Sequence, residues 1–384
     1  MSMVPFNSPG LTGRELDYIA AVIDSRHLSG NGAFTRRCHA WLEQALGARR
    51  VLLTQSCTAA LEMAALLSGV GPGDEVIMPS FTFVSTANAF VLRGATPVFV
   101  DVRPDTLNLD ERRVDAAVGP RTRAIVPVHY AGVGCDMAAL QATAARHGLL
   151  VIEDAAQGLM AERDGRPLGS FGEAAALSFH ETKNIISGEG GALIVNEPSW
   201  VARAEILWEK GTNRAAFHRG EVDKYTWCDV GSSFLPSELT AAFLLAQLEH
   251  ASAITDARLA VWRRYHDAFA ALEAEERLRR PIVPDAARAN GHIYYLLFPT
   301  AEALDAAVPA LRAAGVDAVR HYVPLHSSPA GRRLGRTAGD LPVTDDVSGR
   351  LVRLPLWAGM SDAQVEQVID AVWQVASPGA SRPR

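Results

Sequence analysis

Ala175-Ala176-Leu177-Ser178-Phe179, then His180-Glu181-Thr182-Lys183-Asn184, then Gly188-Glu189-Gly190-Gly191, then Ala192-Leu193-Ile194-Val195-Asn196 is the stretch on which the fold turns. It reads as a strand, a polar loop holding one lysine, a glycine-rich turn and a second strand. Both strands are almost wholly apolar, the pattern of strands covered on both faces. The loop therefore sits at the carboxyl edge of a buried sheet, where α/β folds bind ligands.

Working outward, the same pattern repeats toward the N-terminus. Strands are expected at 51–54, 75–78, 97–102, 124–128 and 149–153, besides 175–179 and 192–196. Helical stretches at 58–67, 111–117 and 137–147 alternate with them, which predicts an α/β fold with a mostly parallel sheet. A helical run starts after Pro236, with Ser237 as its N-cap, and continues to about 278. Beyond it, strands at 293–298 and 319–323 and helices at 300–314 and 361–375 form a smaller α+β unit. The expected division is a large domain at 1–250, a small one at 251–376 and a disordered tail at 377–384, rich in Ser, Pro and Arg.

Composition excludes several classes. The chain has 384 residues, enough for two or three domains, and a net charge of −6. That balance argues against a bulk nucleic-acid or anionic-membrane binder. No apolar run approaches a membrane span; the one at 89–100 is broken by Arg93 and Pro97. The N-terminus does not read as a signal peptide. Cys38, Cys57, Cys135 and Cys228 are scattered, so a reduced, cytoplasmic protein without a metal site is expected. Of 37 basic residues only Lys183, Lys210 and Lys224 are lysines, so lysine chemistry has three candidates.

Lys183 is either a surface residue or a functional amine. A free lysine, with pKa ~10.4, is a poor nucleophile near neutrality. Holding it as an imine with an aldehyde cofactor, commonly pyridoxal phosphate, avoids that obstacle. Asp154, in Val151-Ile152-Glu153-Asp154-Ala155-Ala156-Gln157, follows an apolar strand. It either caps the next helix or pairs with a protonated pyridine nitrogen, and Gln157 is spaced to reach a ring hydroxyl. In Thr54-Gln55-Ser56-Cys57-Thr58 a strand ends and an Ala/Leu-rich helix begins, giving either an ordinary N-cap or a phosphate cup. Ser178 is placed to add a hydroxyl. In Pro79-Ser80-Phe81-Thr82-Phe83-Val84-Ser85-Thr86, either aromatic packs in the core or one stacks on a flat ring. No glycine-rich dinucleotide fingerprint follows the first strand, which argues against an NAD-dependent epimerase or dehydratase.

Taken in this order, these motifs resemble the DegT/DnrJ/EryC1/StrS family of pyridoxal-phosphate-dependent sugar aminotransferases. Phe34-Thr35-Arg36-Arg37-Cys38, residues 73–94, Pro127-Val128-His129-Tyr130-Ala131-Gly132, residues 179–184 and Asp223-Lys224-Tyr225-Thr226-Trp227 look most like its transaminases of dTDP-4-keto-6-deoxyglucose. The resemblance implies an aspartate-aminotransferase-like fold type I and a homodimer with shared active sites. It implies Lys183 as the Schiff-base lysine, Asp154 as partner of the pyridine nitrogen and Gln157 near the ring oxygen. Phe83 matches the stacking position, and Cys57, Thr58 and Ser178 the phosphate site. Ser233 stands where the family often has an Asn that reaches the partner's phosphate, and Leu235 replaces a usual Arg. The lysine argues against the dehydrases of the family, which carry histidine there.

The implied reaction moves an amino group from L-glutamate to C4 of the dTDP-linked keto sugar, giving a gluco or galacto product. A 3-keto sugar transaminase of the same family is the alternative; a non-catalytic regulator is disfavoured by the intact Lys183, Asp154 and Gln157. His180, His326, Arg214, Lys224 and Asn31 are weaker candidates for substrate contacts, the histidines more often packing, the two charges more often solvated, and Asn31 a turn residue that approaches substrate or is only a turn.

Overall fold

The computed structural model describes residues 2–377. Its centre is an eight-stranded sheet in the order Arg50–Thr54, Gly191–Val195, Ala174–Ser178, Leu150–Asp154, Thr122–Ile125, Glu75–Pro79, Thr96–Val100, Arg336–Thr337. Gly191–Val195 runs antiparallel to both neighbours, and all other pairs are parallel. All seven expected strands are present, shifted by a few residues at their ends.

The strands show why a continuous apolar run is needed here. Ile152, Ala174, Ala176, Leu193 and Val195 face a core shared with Cys57–Leu67 and Val201–Trp208. Their neighbours Ala175, Leu177, Ala192 and Ile194 face a second core with Leu42, Leu244 and Leu245 from Ala33–Leu46 and Glu238–Leu248. Successive side chains point to opposite faces, so both sets must be apolar. The small alanines let helices approach closely.

The C-terminal part builds a three-stranded sheet, Tyr294–Leu297, Leu351–Leu354 and Val319–Arg320, all antiparallel. It packs on Ala251–Ala268, Ala301–Ala313 and Asp362–Ala376 around Tyr265, Leu296, Leu311, Val352 and Trp373.

Three details differ from expectation. The helical run from Ser237 is not continuous: it breaks after Leu248 into Ala251–Ala268 and Ala270–Ala274. At that bend His250 Nδ1 lies 2.9 Å from the Ala246 carbonyl, so a side chain supports a turn that no Gly or Pro announces. The strand expected over 319–323 stops at Arg320, and the chain then carries His321 and Tyr322 into the central cavity. Arg336–Thr337, from the second half of the chain, adds a strand to the large sheet beside Thr96–Val100. The expected tail at 377–384 lies outside the described residues except for Ser377, which is buried with its amide donating to the Trp373 carbonyl.

Among the described residues, no helix is long and apolar enough to cross a membrane. No cluster of three or more His, Cys, Asp or Glu side chains is placed to hold a metal ion.

Candidate active site

Ala174–Ser178 and Gly191–Val195 pair with Ser178 opposite Gly191, so residues 179–190 form the loop of a hairpin. Phe179 N donates to Gly190 O, Ser187 N to Phe179 O, and Glu181 N to Gly188 O, closing the loop. Lys183 is thus held on an ordered turn at the strand end. Its side chain lines a cavity of about 480 Å³, within the usual size of small-ligand sites. Burial pushes the ammonium below its usual range and the Arg353 guanidinium adds to this, against Cys57 and Asp154.

Asp154 ends the Leu150–Asp154 strand, two strands over from Gly191–Val195, and lines the same cavity. It is buried, and it does not act as an N-cap in any described helix. Its Oδ2 accepts from Thr86 Oγ1 at 2.7 Å and its Oδ1 from Ala156 N at 3.1 Å. Thr86 is in turn 2.9 Å from Thr82 Oγ1. Gln157 Oε1 accepts from Ala131 N at 2.7 Å, and its Nε2 donates to the Tyr322 hydroxyl at 3.2 Å.

Opposite them, Cys57–Leu67 begins at the cavity. Ser56 is its N-cap, accepting from Ala59 N at 3.1 Å. The first-turn amides of a helix have no intrahelical acceptor, and they face anions well. Thr58 and Ser85 hydroxyls lie 2.7 Å apart at the wall, and Ser178 is nearby in the lining. Gly191 permits this arrangement: a Cβ there would lie 2.4 Å from Cys57 N and from the Ser56 carbonyl carbon. Phe83 borders the cavity and is 57% exposed, so it is not a core aromatic; Phe81 is buried.

The donor set fits pyridoxal phosphate: an amine, a held carboxylate, and an amide and hydroxyl cup, all on one cavity. Lys183, Asp154, Gln157, Cys57, Thr58, Phe83, Ser178 and His180 are brought together. His180 Nδ1 accepts from Thr182 N at 3.2 Å, leaving Nε2 toward Glu189, 3.7 Å away.

The remaining candidates do not line that cavity. Arg214 and Lys224 are exposed, and Arg214 donates to His218. Asn31 is a turn residue at φ 65°, its carbonyl accepting from Arg36. Ser233 is exposed, its carbonyl accepting from Gln55. His326 is held between Ser80 Oγ, 2.7 Å from Nδ1, and Asp345, 3.1 Å from Nε2.

Sequence reasoning did not single out Thr86, Arg258, His292, His321, Tyr322 or Arg353. Thr86 stood inside a quoted motif, and Tyr322 next to one of its histidines. Burial keeps His292 and His321 neutral, helped by nearby cations. A second cavity of about 270 Å³ shares Asn7, Lys183 and Arg258 with the first.

A mixed α/β sheet with a lysine, a carboxylate and an anion cup at its carboxyl edge defines a pyridoxal-phosphate enzyme of fold type I. The model of the DegT/DnrJ/EryC1/StrS aminotransferase family matches residues 9–373, and the chain belongs to that family. It is therefore a pyridoxal-phosphate-dependent sugar aminotransferase. The chain is similar to the spore coat polysaccharide biosynthesis protein SpsC of Bacillus subtilis, 35% identical over 377 residues and 96% of each chain. It is 33% identical to GDP-perosamine synthase of Caulobacter vibrioides over 373 residues, 96% of this chain and 97% of that one. Among solved structures, the aminotransferase TlmJ of Streptoalloteichus hindustanus matches with a TM-score of 0.89 at 31% identity, covering 97% of this chain and 98% of that one.

Proposed function

We propose that this aminotransferase moves the amino group of L-glutamate to C4 of dTDP-4-keto-6-deoxy-D-glucose, giving dTDP-4-amino-4,6-dideoxy-D-glucose or -D-galactose, as a cytoplasmic homodimer. The observation that carries the chemistry is the joint placement of Lys183, Asp154 and the start of Cys57–Leu67 on one cavity. The dTDP-linked sugar rests on the likeness of residues 34–38, 73–94, 127–132, 179–184 and 223–227 to transaminases of that substrate.

When bound, pyridoxal phosphate supplies an aldehyde that takes up the amino group and a ring that accepts electrons from the substrate carbon. Asp154, oriented by Thr86 and Ala156, would hold a proton at the ring nitrogen through a charge-assisted hydrogen bond. Thr58, Ser178 and the amides from Cys57 onward would hold the phosphate. Phe83 and Gln157 line the same cavity, where Phe83 would cover a ring face and Gln157 would stand beside the ring oxygen. Lys183 takes the proton from Cα of the donor and later delivers a proton to C4 of the sugar. Burial lowers the proton affinity of its amine, the direction a base requires.

Ser233 is proposed to serve the phosphate site of the second protomer, which accounts for its exposure in a single chain. Exposed Trp227, at 79%, and Tyr225, at 56%, are apolar surface of the kind a partner covers. Asn31, Arg214 and Lys224 are assigned to the nucleotide side of the assembled site.

The test is an assay with pyridoxal phosphate and L-glutamate against dTDP-4-keto-6-deoxyglucose, a GDP-linked 4-keto-6-deoxy sugar and a dTDP-linked 3-keto sugar. An amino sugar from the first alone supports the reading, and the H3–H4 proton coupling assigns gluco or galacto. Preferred turnover of either other sugar replaces it. Light scattering at the monomer mass would remove the dimer.

A further inference from the structure

His292 stands two residues before the Tyr294–Leu297 strand, and all its polar atoms but one are tied. Asn290 Oδ1 accepts from His292 N at 3.0 Å, and Arg258 Nη2 donates to His292 O at 2.8 Å. His292 Nδ1 lies 2.9 Å from Asn184 Oδ1. Asn184 Nδ2 donates to the Asn290 carbonyl at 2.8 Å, so turning that amide over would set oxygen against oxygen. Asn290 is fixed in turn by its Nδ2, which donates to the Gln157 and Leu159 carbonyls at 2.8 Å each. Asn184, Arg258, Asn290 and His292 are all buried.

An amide oxygen only accepts, so His292 Nδ1 carries the hydrogen. Burial keeps the ring neutral, and the groups around it, Lys183, Arg258, Arg353 and His321, push the same way. Nε2 therefore presents a lone pair, and no described residue donates to it. A buried acceptor left unmet is costly. The ring lines the main cavity, so its donor is to be sought there.

The Lys183 ammonium offers three hydrogens, and none meets an acceptor among the described residues. Lys183 and His292 also share a small cleft of about 10 Å³, walled further by Ser178, Asn184 and Asn290. Arg258, Arg353 and Tyr322, the other donors near His292, do not line it. Its volume is about that of one water, and its walls are polar enough to hold one.

We infer that His292 Nε2 is the acceptor for the Lys183 ammonium, through one water held in that cleft, and so fixes where the amine rests once it has taken up a proton. His292 is thus a positioning residue that stays neutral throughout. This rests on Lys183 being the reactive amine but not on which sugar is aminated. A hydrogen bond to the charged form favours that form. His292 therefore acts with Cys57 and Asp154 to raise the proton affinity of Lys183, against burial and the Arg353 charge.

The test is amine labelling of the cofactor-free protein across pH, read at Lys183 by mass spectrometry. His292→Leu is expected to lower the labelling midpoint by about one pH unit, tenfold in proton affinity, the size of losing one hydrogen bond to a charged group. His292→Asn keeps a polar side chain but is too short to reach the cleft, and it should shift the midpoint likewise. His292→Gln, which puts an acceptor near the place of Nε2, should return the midpoint close to wild type. A wild-type midpoint in folded His292→Leu or His292→Asn overturns the assignment, whatever either variant costs in stability. So does a shift in His292→Gln as large as that in His292→Leu. Because neither cofactor nor sugar is present, failure of the proposed sugar in the turnover assay does not affect this result.

Discussion

Thr86 Oγ1 donates a 2.7 Å hydrogen bond to Asp154 Oδ2 across a separation of 68 residues. Both groups are buried, and Ala156 N holds the other carboxylate oxygen. The carboxylate is therefore fixed in rotation before any ligand arrives. Removing the hydroxyl without changing shape, in Thr86→Val, is expected to lower kcat about 10-fold or more, since hydrogen bonds to charged groups contribute ~1.5–3 kcal/mol. Thr86→Ser should recover most of it. Steady-state rates together with the absorbance spectrum of the bound cofactor check this; wild-type values in Thr86→Val would refute the positioning role.

Lys183 is expected to be required for proton transfer: Lys183→Ala should lose at least 10²-fold in turnover, the low end for general acid–base groups. Its amine also predicts a pH dependence. Burial lowers its affinity for protons in the folded, cofactor-free protein, whereas the unfolded chain has pKa ~10.4. Between those two values the unfolded state binds more protons, so stability of the cofactor-free protein should rise with pH through that window. With only three lysines in the chain, amine labelling read by mass spectrometry resolves the residue directly. Lys183 should label at lower pH than an ordinary lysine, and a midpoint near 10.4 would contradict the burial effect.

The extent to which the sequence disclosed this site follows from what each residue contributes locally. Lys183 was legible only in company: alone it reads as readily as a surface lysine, and the Asp154, Gln157 and Cys57–Thr58 motifs beside it made the functional reading. Asp154 was legible as a strand-end carboxylate. Arg353 was not, because one Arg inside Leu351–Leu354 has the alternation of a strand with one face in water. Only the fold shows that this face is a cavity wall. In His321-Tyr322-Val323-Pro324-Leu325-His326 the end that lines the cavity is not the one the motif marked: Tyr322 reaches Gln157, whereas His326 turns to Ser80. Chain direction after a proline is a tertiary matter, and the motif carries no trace of it. The single reversed strand, Gly191–Val195, was likewise invisible in apolar pattern, which is the same for either direction.

Gly191 and Gly188 separate two reasons for glycine within one loop. A Cβ on Gly191 would meet backbone atoms of Ser56 and Cys57, which cannot swing aside. Gly191→Ala should therefore cost roughly 1–3 kcal/mol as overpacking, and should weaken pyridoxal phosphate binding by shifting the start of Cys57–Leu67. A Cβ on Gly188 meets open space, but its φ of +79° disfavours alanine by about 1–2 kcal/mol. Gly188→Ala should lower stability while leaving cofactor affinity near wild type. Urea denaturation and cofactor titration of both variants distinguish the two, and equal cofactor affinities would show that Gly191 does not shape the cup.

His326 provides the converse case, a residue whose motif suggested substrate and whose surroundings suggest structure. Ser80 Oγ accepts from His326 N at 3.0 Å and lies 2.7 Å from its Nδ1, and Leu325 N donates to Ser80 O. These contacts fasten the segment 325–328 to the end of Glu75–Pro79, just before the Phe81 and Phe83 region. The Asp345 contact at 3.1 Å involves an exposed carboxylate and contributes little. Losing the buried part of this set costs about 1–2 kcal/mol. His326→Ala should thus lower the unfolding midpoint, with KM for the sugar nucleotide held within about twofold, since small losses of remote packing do not remove uniform binding. His326→Asn should restore part of the stability through Ser80. A large rise in KM with unchanged stability would return His326 to the substrate site.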